Sequence, residues 1–307
     1  MKWSRMELRN GLIENGSFPW RVITLSAVVL AFCCLSRAQA QAGSPTLAPS
    51  AASAAELRDK KDGATDGGQP EIPLANPGRP TVSTPATLTP VGYLQFETGI
   101  LPAWRSPEFS SQFSIGNVTK FAVCNEFQLL AAVGPYVHSN TEPQNGSGDV
   151  SLGFQGVVRR GAGAAPTLAL GYWGRIHDGG TPDLDMGSAV NSAIVLVSAD
   201  VWGFHYDTNY LFNEVKNDEG VHRAQFGQTL SVSHSLGAKF GLSGEVWDFS
   251  QPFLRGRAVG NLWAVDYNAR RNLVFDLAFN DGLTSTSTQW EILTGFTYVL
   301  PRRIHLH

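Results

Sequence analysis

Along much of this chain, apolar and polar side chains alternate with a period of two. In GFHYDTNYLFN, Gly203 to Asn213, the even positions carry Phe204, Tyr206, Thr208, Tyr210 and Phe212, and the odd positions carry His205, Asp207, Asn209 and Asn213. Successive side chains of a strand point to opposite faces, so this segment predicts a strand with one apolar, aromatic face and one polar face. The same pattern recurs over Tyr93–Leu101, Gln112–Val123, Phe127–Val133, Val150–Arg159, Pro166–Trp173 and Val190–Val201. It continues over Trp202–Asn213, Ala224–Leu236, Lys239–Phe249, Arg257–Asn268, Leu273–Asn280 and Gln289–Leu300. About 12 strands of roughly 10 residues match the length a tilted membrane-spanning strand needs, and little else in the chain has helical periodicity. The expected fold is all-β, an antiparallel transmembrane β-barrel of about 12 strands, apolar toward lipid and polar toward the lumen.

A soluble sandwich or lipocalin-like barrel shares this alternation with its apolar face turned inward. Two features favour the membrane form. Aromatic residues recur near strand ends (Tyr93, Trp104, Tyr136, Trp173, Trp202, Tyr210, Trp247, Trp263, Trp290, Tyr298), as interfacial girdles require. The opposite face is small and polar with few lysines, an unusual surface for a water-soluble sheet. Short connections at Cys124-Asn125, Gly237 and Ala269–Asn272 alternate with longer ones at Val137–Gly146, Arg175–Ser188, Glu214–His222, Ser250–Gly256 and Asp281–Thr288. In such barrels the short turns are periplasmic and the long loops extracellular.

The N-terminus fits this setting. Residues 1–40 read as a signal peptide: Lys2, Arg5, Arg9 and Arg21 precede the apolar run Val22–Leu35, and Ala38-Gln39-Ala40 is a small-x-small cleavage site. Cys33 and Cys34 lie within it, but Phe32 occupies the position where a lipidation signal carries a small residue. Cleavage after Ala40 leaves one cysteine, Cys124, and hence no internal disulfide. Residues 41–85, rich in Ala, Ser, Pro, Gly and Thr, read as a flexible periplasmic segment. The barrel is expected over 86–301, followed by a tail at 302–307. A charged content of 16% lies below the ~25% of soluble domains, and a net charge of −3 provides no basic face for nucleic acid.

The segment Asn76–Ile100, NPGRPTVSTPATLTPVGYLQFETGI, resembles the opening of an outer-membrane barrel family named for the meta-pathway of phenol degradation. That family begins with an arginine-containing, Pro-rich lead and a P-x-G-x-x-Q-x-E-x-G strand, here Pro90, Gly92, Gln95, Glu97 and Gly99. KFAVCNEFQLLAAVGPY resembles its second hairpin, GSGDVSLGFQG (Gly146–Gly156) its Gly-Asp strand opening, and FDLAFNDGL (Phe275–Leu283) its late strand with an inward Asp, Asp276. The resemblance covers about residues 76–301 and implies a transporter or channel with no established catalytic residues. The chain departs from the pattern at its end, LPRRIHLH, so the aromatic signal read by the barrel-assembly machinery is internal, at Phe296 and Tyr298.

The side chains expected to line the lumen are Glu97, His205, Asp207, Asn209, Lys239, Glu245, Trp247, Trp263, Asp276 and Glu291, with Lys239 as the clearest inward cation. A barrel of this size leaves a narrow lumen that side chains largely fill. The acidic groups then either line a cation-favouring pore or pair within a plug. Trp173, Trp247 and Trp263 on the polar register suggest a greasy slide. Some 12-stranded barrels hydrolyse lipids with a rim Ser and His. His234 falls on the apolar register here, but Ser233 and Ser235 point to the other face, so no triad is legible. The terminal pair His305 and His307 reads as a frayed tail. No P-loop, dinucleotide fingerprint or metal spacing appears, so no cofactor, metal or catalytic residue is expected. The expected function is that of a monomeric channel or transporter for small hydrophobic or aromatic solutes, with outer-membrane lipid and the assembly machinery as its other partners. The alternatives are a structural or partner-binding barrel and a barrel lipid hydrolase.

Overall fold

A computed structural model describes residues 72–142, 144–179, 189–217, 219–254 and 256–304. The predicted signal peptide, residues 41–71 of the predicted flexible segment and the His305/His307 pair lie outside the described residues.

Thirteen strands follow in order: β1 (Leu94–Trp104), β2 (Ser111–Cys124), β3 (Phe127–Ser139), β4 (Asn145–Gly146), β5 (Val150–Arg159), β6 (Thr167–His177) and β7 (Ala189–Val201), then β8 (Phe204–Lys216), β9 (His222–Leu236), β10 (Phe240–Gln251), β11 (Gly256–Arg270), β12 (Leu273–Gly282) and β13 (Trp290–Val299). The two-residue β4 pairs only with the end of β3. The other twelve form the wall, each antiparallel to its neighbours. Closure comes from β1, which pairs with β2 on one side and β13 on the other. Among the described residues each of the twelve wall strands has a partner strand on both sides, which is how a closed sheet pairs its backbone polar groups without water, as a membrane requires.

The alternation seen in the sequence maps onto two faces. Phe212, Phe226, Leu152, Leu170, Leu277 and Trp263 stand outward and exposed, while Gln95, Glu97, Gln128, Gln155, Asn209 and Glu245 on the inner face are buried. Aromatic contacts across strands reinforce the outer belt, including Phe154 with both Phe127 and Tyr172, and Phe279 with Trp290. β7 and β8 join through Trp202 and Gly203, whose φ values of 53° and 81° define the two-residue turn whose twist suits a hairpin.

The described part of the segment expected to be flexible and periplasmic has a different fate. Residues 72–92 enter the barrel from the short-turn end, cross the lumen and return to that end to begin β1. The reason lies in the inner wall, which supplies a polar partner at almost every step of the crossing.

Candidate functional site

The lead carries prolines at 73, 77, 80, 85 and 90. Each fixes φ and removes a backbone donor, which favours an extended chain unable to join the wall as a strand. The lead therefore depends on side-chain acceptors. Ala75 N–H reaches the Arg271 carbonyl in the β11–β12 turn at 2.8 Å. Asn76 exchanges two bonds with Gln95 of β1, at 2.9 and 2.7 Å. Its own amide donates to the carbonyls of Thr87 and Leu88, both at 3.1 Å, tying the incoming arm to the returning one.

The next steps climb β1. Gly78 N–H donates to Glu97 at 3.0 Å. Glu97 also holds Lys120 of β2 at 2.6 Å, in a pair whose side chains are nearly inaccessible to water. Arg79 crosses to Asp276 of β12 and makes a fork of bonds at 3.2 and 3.3 Å. Its guanidinium lies over Gly99 and Gly295. A Cβ on Gly99 would overlap the guanidinium, and one on Gly295 would lie 2.9 Å from Nη2. Alternate residues of β1, Gln95, Glu97 and Gly99, thus receive Asn76, Gly78 and Arg79 in turn.

On the far wall, Glu245 of β10 accepts three bonds: from Val82 N–H at 2.7 Å, Ser83 N–H at 2.6 Å and Ser83 Oγ at 2.6 Å. Asn209 of β8 accepts from Thr84 N–H at 2.6 Å and donates to the Thr84 carbonyl at 2.9 Å. Ser198 of β7 accepts from Ala86 N–H at 2.7 Å and donates to Asp207 at 2.5 Å. Asp207 and Asp200 flank His205 at 3.2 and 2.8 Å. On the return, the Pro85 carbonyl accepts from Gln155 of β5 at 3.0 Å, and Thr89 N–H donates to Gln128 of β3 at 3.1 Å. Gly92 N–H closes the path on the Ala122 carbonyl of β2 at 2.9 Å. A buried polar group is costly when unpaired, so each bond opposes withdrawal of the lead into any state that leaves its partner dry.

An apolar contact accompanies the polar ones. Val82 packs with Leu211 against the buried cluster of Trp247, Phe249 and Ala258. A second inner cluster, Leu262, Ala264 and Ala278 with Leu293, lines β11–β13. Toward the long-loop end, Trp247 Nε1 donates to Asn280 at 2.7 Å, and Asn280 in turn donates to Glu291.

Of the residues read from the sequence, Glu97, Asn209, Glu245 and Asp276 touch the lead directly. Asp207 and His205 support it through Ser198, Trp247 packs beneath Val82, and Glu291 anchors the Trp247–Asn280 chain. Two assignments are corrected. Lys239 is exposed in the β9–β10 turn, one residue before β10 begins, and Lys120 of β2 is a buried inward cation instead. Trp263 stands outward and 61% exposed, with its indole N–H on Asn261 at 3.1 Å, so it belongs to no inner slide. His234 also faces outward. Its ring contacts the Gly203 carbonyl at 2.9 Å and stacks near Phe204, and neither group is a nucleophile. Gln95, Lys120, Gln128, Gln155 and Ser198 were missed, although all sit on the polar phase of their strands. Their signal was that phase, to which Gln95 added its place in the P-x-G-x-x-Q-x-E-x-G pattern.

No protein-family model matches the chain, and no curated protein sequence matches it. Solved structures do. The COG4313 outer-membrane channel from Pseudomonas putida F1 superposes with a TM-score of 0.52 over 70% of this chain and 98% of that one, at 10% identity. The NanC porin and the KdgM porin each align at 11% identity and a TM-score of 0.46, over 69% and 70% of this chain and 100% and 99% of theirs. Identity this low transfers no residue roles, and the likeness is one of architecture. The chain is an all-β protein with the closed, twelve-stranded antiparallel barrel fold found in outer-membrane channels.

Proposed function

We propose that the protein is an outer-membrane channel for small hydrophobic or aromatic solutes, held shut by its own N-terminal lead. The observation that carries this reading is the lead itself. Its backbone and side chains bond to inward side chains of β1, β3, β5, β7, β8, β10 and β12, so it obstructs the lumen from nearly every side. The bonds are individually modest, about 1 kcal/mol each net between neutral groups and about 1.5–3 kcal/mol to the carboxylates, and each has a water-filled alternative once the lumen hydrates. Such an arrangement suits a closed state that can open.

The solute class rests on the wall beneath Val82. Withdrawal of the lead uncovers Trp247 and Phe249 beside Leu211, and an apolar or aromatic solute would cover that surface again. Trp173 extends the same inner face on β6. In this setting the outer belt contacts lipid, and Phe296 and Tyr298 on the last strand present the aromatic signal to the assembly machinery.

The test compares the parent with a variant lacking residues 75–92, both checked for heat-modifiable migration. The parent should be nearly silent in a planar bilayer, and the variant should give stable steps. Alanine at Trp173 and Trp247 in the shortened barrel should slow flux of an aromatic tracer. A folded, shortened barrel that never conducts would overturn the channel reading and leave a structural or partner-binding barrel.

A further inference from the structure

The place where Arg79 docks is built from more than a carboxylate. A row of directly paired residues runs across the inner wall: Asp266 of β11, Asp276 of β12, Gly295 of β13, Gly99 of β1 and Gly116 of β2. Directly paired residues of antiparallel strands share a face, so all five point into the lumen. Asp276 forms one wall of a slot, and the backbone of Gly295 and Gly99 forms its flat floor. The Arg79 guanidinium lies on that floor, where a Cβ at either glycine would displace it. Above Gly116 there is open space, with no heavy atom within 4 Å of the position a Cβ would take. It lies one strand over from the slot that Arg79 fills. The Arg79 side chain keeps 19% of its accessibility there, against 2% for Asp276.

The floor and wall fit one cation chemistry. A guanidinium is planar, spreads its charge, is weakly hydrated and presents a fork of N–H donors that matches a carboxylate. A sodium ion or a compact ammonium uses neither the flat floor nor the fork. One carboxylate oxygen of the row, Asp266 Oδ1, is buried and has no hydrogen-bond partner. Asp266 itself leans over Gly241 of β10, with Oδ2 3.4 Å from where a Cβ would stand there, so Asp276 is the acid that meets the guanidinium.

We propose that this slot is a guanidinium-binding site, filled by the chain's own Arg79 when the lead is docked and open to a guanidinium-bearing solute when it is not. Its occupation by such a solute during gating rests on the channel reading. Its existence as a site does not. A solute of this class competes with Arg79 for the slot and so weakens the latch of the lead.

The experiment uses the full chain with Arg79→Ala, which empties the slot while leaving the rest of the lead in place. The temperature at which heat-modifiable migration is lost is measured with guanidinium chloride at roughly 1–30 mM, far below denaturing concentrations, and with sodium or tetramethylammonium chloride at equal ionic strength. A ligand that binds only the folded state raises this temperature in a saturable way. Guanidinium should raise the midpoint of Arg79→Ala by a few degrees, with no rise in the parent and none from the control salts. Adding Asp276→Asn should abolish the response. If Arg79→Ala assembles poorly, its refolded yield becomes the readout, and guanidinium should raise that yield for the variant alone. Equal responses in variant and parent, equal responses to sodium, or no response in either readout would each overturn the site. A shortened barrel that fails to conduct would defeat the channel reading and leave the thermal result standing.

Discussion

Glu245→Ala is the sharpest perturbation of the docked lead. The carboxylate accepts from Val82 N–H, Ser83 N–H and Ser83 Oγ, and it is 3% exposed. Truncation leaves two backbone donors unpaired inside the barrel, whereas Ser83 Oγ keeps Thr229 at 2.7 Å. An unsatisfied buried donor costs about 1–3 kcal/mol, so two cost about 2–6 kcal/mol. At about 1.4 kcal/mol per factor of ten, the docked-to-undocked ratio of the lead falls by a factor of about 30 to about 10⁴. Water that enters the space left by the side chain moves the outcome toward the lower figure. The wall is untouched, because Glu245 remains paired through its backbone with Ser231 and Leu262. The assay is open-time fraction in a planar bilayer, with barrel integrity checked by heat-modifiable migration. Glu245→Gln, which retains one acceptor oxygen, should fall between parent and alanine. An alanine variant with a folded barrel and the parent's open-time fraction would refute the claim that these bonds hold the lead.

Other outcomes follow from the same geometry. Lys120→Met strands Glu97 without its cation in a site where both side chains are nearly inaccessible, and should cost about 3–5 kcal/mol in urea-monitored unfolding; a loss under about 1 kcal/mol would mean that water reaches the pair. Trp263→Ala, on the outer face, should leave tracer flux through a lead-deleted barrel unchanged while Trp247→Ala in the same background slows it, and equal effects would count against the two orientations. Cys124 is exposed at the short-turn end of β2, so a membrane-impermeant maleimide should label it in permeabilised but not intact cells. Labelling of intact cells would invert the assigned orientation.

The strands were legible because their signal is local. In β1, Leu94, Phe96 and Thr98 face one way and Gln95 and Glu97 the other, whatever the rest of the chain does, and the period of two follows from pleat geometry alone. Where both faces of a strand are apolar, that signal fails. β11 turns Ala258, Leu262 and Ala264 inward and Val259, Trp263 and Val265 outward. Hydropathy scarcely alternates there, and Trp263 was placed on the wrong face. Lys239 shows the other limit: a shift of one residue at a strand boundary moves a charge from the lumen to a turn.

The sequence by itself determined that the protein is a barrel, about how many strands it has, which end carries the long loops and which face of most strands is polar. Only the tertiary structure decided what that polar face contacts. A segment with five prolines has no periodicity to read, and its composition is that of a linker. Its path is set by acceptors on β1, β3, β7, β8 and β10, separated by up to 150 residues and brought to one lumen by closure of the sheet. No local rule connects Asn76 to Gln95, Arg79 to Asp276 or Ser83 to Glu245. Those contacts exist because a closed ring of antiparallel strands turns every polar face toward the same narrow space, where a chain short of its own hydrogen-bond partners can find them.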